Sequence, residues 1–460
     1  MTLVTIVVSA LCILLIAGYR VDTQEGKLEQ GSLLQFRSTP AGADIILDGK
    51  DVGFVTPGKL SVTAAHHSVI MKKEGYDTWS KVFTSKPGEL RWLNYARLIP
   101  TTLTTSTITS LSGADEVLAS PDKRLIAVIP NAENAVVNII NVSNPKRPVL
   151  KTFDLASTLQ PRPQNTTSKW VIEEWDIGSR YVLLSQHLGP IIDFIRLDST
   201  ITDDKGINLT REYNLPFRQL HFSGRSGNVF YALTDSDLRR IDVNSKSVSQ
   251  PLVAGVESYS LYREKDIAYV SVRGDKKVAG VYVDDHETTV RTFDNSVNLS
   301  IDITKYYDPY LVIVAGRSVQ IIKDPVSHSD IGRAFAQFNV RLEPAWLDIS
   351  NSGRFVVVGN GHSYECYDLE TDERFAVTLP GQPIDTTAPV HWIDDYYTVV
   401  TTTGNVTITE FDGQNAHEIT SVVPGKNVTL SEDGRFLYSV GRTQGATSTF
   451  SLQSTSLTID

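Results

Sequence analysis

Cysteine is nearly absent from this chain of 460 residues: there are two, Cys12 inside an apolar N-terminal run and Cys366 far along the sequence. That excludes a disulfide framework. Clustered basic charge is missing too. The net charge is -10 with no block of like sign, which argues against a nucleic-acid surface, since phosphate recognition needs grouped Lys and Arg. No Gly-x-Ser-x-Gly elbow and no phosphate-cradling loop occurs, so two common routes to hydrolysis and nucleotide chemistry are not signalled. The nine histidines are scattered without zinc spacing. No window carries a helical period long enough to compete with strands. What remains, 41% hydrophobic and 21% charged residues, is the composition of a folded body, and the length calls for two or more domains.

Residues 1–19 hold no charged side chain, and Leu3 to Ala17 is almost wholly Val, Ile, Leu and Ala. Three readings fit such a run: a transmembrane signal anchor, a cleaved signal peptide or a buried helix. The expectation is an anchor, with residues 20–31 as a polar spacer and the body outside the membrane in a single-pass arrangement. Leu11 before Cys12 excludes a lipoprotein site. The cations Arg20 and Lys27 follow the run rather than precede it, which opposes that orientation under the positive-inside rule; an upstream start supplying basic residues would reconcile the two.

Residues 32–100 read as about seven short strands with sharp turns, hence a small β-sandwich. Asp48-Gly49 is a two-residue hairpin signal, because such a turn needs positive φ at both positions. Pro40-Ala41-Gly42-Ala43, Asp48-Gly49, Gly53, Thr56-Pro57, Leu60, His67 and Lys73-Glu74-Gly75-Tyr76 together resemble the PEGA domain in order and spacing. Two departures stand out: Ala41 replaces the Glu of the family's name, and Ala65 stands where Gly is usual. The resemblance implies an envelope module of bacteria or archaea with diverse partners and no catalytic residues, and a Tyr76 ring packed on the sandwich. His66-His67 is not expected to hold a metal, since neighbours on a strand face opposite ways.

Across residues 101–460, apolar runs begin near Leu125, Tyr181, Val229, Ile267, Tyr310, Phe355, Tyr397 and Phe436, about 44 residues apart, the spacing of four-stranded propeller blades. Ser120-Pro121-Asp122-Lys123-Arg124, Ser350-Asn351-Ser352-Gly353-Arg354 and Ser431-Glu432-Asp433-Gly434-Arg435 are copies of one turn, and Ser223 to Gly227 is a looser fourth. The expectation is an all-β chain ending in a seven- or eight-bladed β-propeller. A Thr-rich strand within 101–110 is expected to close the ring by completing the last blade. The blade pattern is generic: Trp175-Asp176 is out of phase with WD repeats, and kelch glycine pairs do not recur.

Three acidic groups merit weighing as sites. Glu173-Glu174-Trp175-Asp176 and Asp394-Asp395 offer carboxylate pairs, and Asp284-Asp285-His286-Glu287 offers oxygen ligands. All are read as solvated turns. Trp346, Trp392 and Tyr396 are read as packing between blades rather than lining a ligand surface. No catalytic, cofactor or metal residue is assigned, no cofactor is expected and the binding residues are unknown. The function expected is that of a membrane-anchored binding or scaffold protein of the cell envelope, contacting a protein or glycan through the propeller. The alternatives are a channel hydrolase or lactonase and an envelope assembly factor.

Overall fold

A computed structural model describes residues 5, 8, 9, 19–21, 28–158, 168–224, 226–262, 265–327, 333–361, 363–379, 390–401, 405–423, 425–442 and 449–459. Among these residues no helix is long and apolar enough to cross a membrane. The single-pass anchor, and the membrane localisation built on it, are therefore not supported. Most of residues 1–18, on which that expectation fell, lie outside the described residues. Within the expected spacer, Tyr19–Val21 pairs with Leu28–Gln30 as a short antiparallel hairpin.

The chain divides into two compact units, 1–104 with 456–460, and 105–455. The first unit contains a seven-stranded sandwich. Ser32–Thr39 lies between Gly58–Val62 and Leu90–Arg97, parallel to the latter. The facing sheet orders Lys50–Val55, Asp44–Leu47, His66–Lys72 and Trp79–Thr84. Strict alternation in the sequence becomes alternation in burial: Leu34 and Phe36 point inward from one sheet, Val69 and Met71 from the other. Burying side chains of this size stabilises by about 1.5–3 kcal/mol each. Asp48 and Gly49 take φ of 50° and 78°, the conformation expected of a type I′ turn. Tyr76 packs in this core, and its hydroxyl accepts the Ile459 N–H at 2.7 Å.

The second unit holds eight four-stranded antiparallel sheets among the described residues. Seven are consecutive in sequence. The eighth takes Thr429–Leu430, Phe436–Arg442 and Phe450–Ser456 from the end of the unit and Thr105–Leu111 from its beginning. Ser106 and Ser454 face each other across this junction with their hydroxyls 3.0 Å apart. The result is a closed β-propeller of eight blades, numbered here from Glu116–Ala119 onward.

The second strand of each blade explains the unbroken apolar runs. In Tyr181–Leu188, Val182 and Leu184 enter the core shared with blade 1, while Tyr181 and Leu183 enter the core shared with blade 3. Ala268 and Val270 against Ile267 and Tyr269 repeat the division between blades 5 and 3. A strand that must bury both faces cannot alternate polar with apolar.

The recurrent turn also has a local cause. Ser120, Ser350 and Ser431 each accept the backbone N–H five residues on, at 3.0 Å, through the hydroxyl; Asp176 does so with its carboxylate. The fourth turn position takes positive φ: Lys123 at 61°, Ser179 at 58°, Gly353 at 80° and Gly434 at 70°. At Gly353 a Cβ would lie 2.5 Å from Thr304 Oγ1 and 2.8 Å from the Lys305 carbonyl, so both conformation and space demand glycine.

Candidate functional site

The first strands, which pack together between blades 1 and 2, 4 and 5, and 5 and 6, line the channel of the propeller. Every first strand presents one side chain at an equivalent level, paired with the same part of its blade's second strand. Around the ring these are Leu118, Glu174, His221, Ser260, Asp302, Asp348, Trp392 and Thr429. The series runs from apolar through charged to aromatic, and four of its polar members pair across blades, Glu174 with His221 and Ser260 with Asp302.

Glu174 Oε2 lies 3.1 Å from His221 Nδ1, and Glu174 Oε1 accepts the Phe222 N–H at 2.5 Å. Burial works against charge on His221, but the hydrogen bond and charge of Glu174, with Glu173 adding, raise its pKa. A β-bulge between Ile172 and Glu174 makes this pairing possible: it admits Glu173 as an extra residue and re-aims its neighbours. Glu173 itself bonds Ser185 on the second strand, whose hydroxyl lies 3.0 Å from His187 Nε2. The solvated-turn reading of these acids is thereby corrected. They lie on the strand Ser168–Trp175, and Asp176 is 1% exposed, holding the turn amides of Arg180 and Tyr181.

Ser260 donates to Asp302 on the next blade, and Asp302 also accepts the Ile303 N–H at 2.8 Å. Burial raises the Asp302 pKa in spite of these bonds. Asp348, one blade further, has a single hydrogen bond among the described residues, from the N–H of Ile349 at 2.8 Å. Burial, with the charge of Asp302 adding, pushes its pKa up to about 7. Although part of Asp348 faces the channel, protein surrounds it on most sides, and the desolvation follows from that.

Two cavities open among these side chains. Glu174, His221 and Ser260 line one of about 440 Å³, with Trp175, Tyr259 and Ile177. Asp348, Trp392, Thr429 and Leu118 line one of about 290 Å³, with Asn351, Asn427 and Ser439. No group of three or more His, Cys, Asp or Glu placed to hold a metal occurs among the described residues.

The remaining sequence candidates have structural roles. Asp284 and Asp285 take φ of 49° and 62° and form the turn between Lys276–Val283 and His286–Asp294; Asp284 pairs with Lys265 and Glu287 with Arg273. Asp394 caps a turn by accepting the N–H groups of Tyr396 and Tyr397. His67 is buried between Asp48 at 2.8 Å and the Thr63 carbonyl at 2.9 Å, while His66 faces outward. Trp346 packs against Tyr364 and Tyr396 against Phe355. Trp392 stacks on Phe355 and also lines the smaller cavity, which corrects the choice between packing and lining: it does both. Sequence reasoning missed His221, Ser260, Asp302 and Asp348. For His221 and Asp348 the position two residues before Ser223 and Ser350 was an available signal; Ser260 and Asp302 precede no copy of that turn.

Comparison with known families gives a match to the PEGA domain over residues 32–98. Residues 32–98 are a PEGA domain. Its two sheets, inward Tyr76 and Asp48-Gly49 hairpin are the features described above, and Ala41 stands in it without disturbing the turn. The chain is similar to an oligogalacturonate lyase in complex with manganese, at 9% identity and a TM-score of 0.42, over 65% of this chain and 95% of the other. It is similar to the dihydro-heme d1 dehydrogenase NirN, at 13% identity and a TM-score of 0.46, over 77% and 75%. An oligogalacturonate lyase from Vibrio parahaemolyticus gives 8% identity and a TM-score of 0.40, over 77% and 98%. No curated protein matches the chain.

Replacing Asp348 with asparagine should stabilise the protein at high pH and leave it nearly unchanged at low pH. A carboxylate whose folded pKa is raised is bound to its proton more tightly in the folded state. The penalty it imposes is absent below about pH 4, the unfolded value, and is complete once pH passes the folded value near 7. At pH 8 Asp348→Asn should gain about 1–3 kcal/mol, discounted for channel water. Urea unfolding at pH 4 and pH 8 measures this; an equal effect at both would contradict the assignment.

Proposed function

We propose that this chain is a binding protein in which the β-propeller presents its channel side chains to a protein or glycan partner and the PEGA domain serves as a second, non-catalytic module. The observation that carries this reading is the eight-residue ring. Glu174 pairs with His221 and Ser260 with Asp302 between blades; Glu174, His221 and Ser260 line one open cavity, and Asp348 and Thr429 line another. Groups held in cross-blade bonds form a preorganised polar surface, which suits recognition.

A second reading, a channel hydrolase or lactonase, is favoured by one feature. His221 is oriented through Nδ1 by a carboxylate, and its Nε2 has no hydrogen-bond partner among the described residues. That is the arrangement of a general base. Against it, Ser260 gives its hydroxyl proton to Asp302 rather than to an imidazole.

The test is affinity capture with the full chain, beside the variant Glu174→Gln/His221→Gln, followed by assay on ester, lactone and glycoside panels. Partners retained by the parent and lost by the variant support recognition, and client unfolded proteins among them would favour an assembly role. Turnover that His221→Gln abolishes would establish the hydrolase instead.

A further inference from the structure

The smaller cavity is built differently from the rest of the channel. Phe411, Phe355 and Trp392 form a parallel stack: centroids of the first pair are 4.1 Å apart at 16°, and of the second 6.0 Å apart at 12°. Trp392 ends this stack, fixed by the two rings behind it, and its remaining surface lines the cavity. A rigid aromatic surface held this way loses little entropy on binding.

The polar groups around it complement one another. Asp348 brings a carboxylate whose only hydrogen bond among the described residues comes from its own strand, so it has acceptor capacity to spare. Among the described residues, Ser439, 1% exposed in the cavity wall, has a hydroxyl with no partner, and Trp392 Nε1 likewise has none. Buried polar groups without partners cost free energy, and both residues stand in the wall of this cavity. Asn351 and Asn427 add amides at the margin. The occupant must therefore offer donors and acceptors within a short span and a flat apolar face. An ammonium group donates only; a carboxylate or phosphate would meet Asp348, with Asp302 one blade away. Vicinal hydroxyls on a ring satisfy both demands. The volume of about 290 Å³ is that of about ten waters, enough for one such ring.

We infer that this cavity is a subsite for a single uncharged pyranose residue of a glycan, stacked on Trp392 with its hydroxyls donating to Asp348. This rests on the binding reading given above and specifies its ligand class.

The experiment is titration of the full chain with methyl glycosides of neutral hexoses and N-acetylhexosamines, and with their short oligosaccharides. Tryptophan fluorescence and calorimetry supply the readouts, with uronic acids and short peptides as comparison arms. At least one neutral sugar should perturb the fluorescence saturably. Asp348→Asn should weaken its affinity about tenfold with no loss of thermal stability, and Trp392→Phe should reduce both affinity and the optical signal. Absence of saturable binding by every neutral sugar would overturn the subsite. So would neutral-sugar binding indifferent to both substitutions, or a preference for uronic acids or peptides. Capture of a protein partner with no sugar bound would sink the subsite alone and leave the binding reading standing.

Discussion

Arg354→Ala should destabilise the protein by about 3–5 kcal/mol, more than any other single charge removed from the turns. Arg354 follows the turn glycine and is 9% exposed. Its guanidinium grips Asp368 with two bonds, Nε at 2.7 Å and a terminal nitrogen at 2.6 Å, and also pairs with Glu370. It lies 5.0 Å from the Phe355 centroid and 5.9 Å from that of Tyr396. Glu370 in turn accepts the Tyr306 hydroxyl from blade 5 at 2.9 Å, so the cluster joins three successive blades. Removing the arginine leaves Asp368, 2% exposed, as a buried carboxylate without its counter-charge, and that desolvation dominates the loss.

The same turn position gives the control. Arg124 bonds Glu432 at 2.7 Å and 2.5 Å, geometry as good as that of Arg354, but both partners are about half exposed. Water and salt screen such a pair, and Arg124→Ala should cost far less than Arg354→Ala. Arg354→Lys should recover little, because an ammonium cannot reproduce the forked contact. Denaturant unfolding of the three variants measures the series. Equal losses for Arg124 and Arg354 would show that burial does not set the value of these pairs.

The second large effect concerns ring closure. Thr105–Leu111 supplies the outer strand of blade 8, and its partner Phe450–Ser456 lies some 350 residues away in the chain. A contact of such sequence separation is costly to form and, once formed, couples the first and last blades. Cysteines at Ser106 and Ser454, whose hydroxyls are 3.0 Å apart, should oxidise spontaneously and stabilise the protein by about 2–4 kcal/mol. Reduction should return the parent value.

Much of this architecture was legible in the residues. The Asp48-Gly49 turn declared itself because few residues accept two consecutive positive φ angles. The three Ser-containing turns declared themselves because one side-chain oxygen must reach an amide five residues on. The doubly buried second strands were visible as unbroken apolar runs, and the Thr-rich strand that closes the ring was visible as a segment needing a partner. The apolar run at residues 1–19 was read as an anchor from hydropathy alone, and no described helix supports it.

The channel was much less legible. Glu174, His221, Ser260, Asp302 and Asp348 come from five blades, so their bonds join positions 42 to 47 residues apart and no local motif records them. Glu174 was noticed for its acidic neighbours, but only the bulge determines where it points. The Arg354–Asp368 clasp starts from a turn that was recognised, without the pairing that completes it. Arg180 and Asp198 repeat it in blade 2, at 3.0 Å and 2.6 Å.

The central claim is that eight blades close into one ring through strands from both ends of the second unit. Peptide mass mapping of the purified Ser106→Cys/Ser454→Cys protein under non-reducing conditions tests it most directly. The account predicts one dominant species in which residues 106 and 454 are joined, in monomeric protein, with a raised melting temperature that reductant abolishes. Free thiols at both positions, or cross-links only between separate molecules, would contradict it.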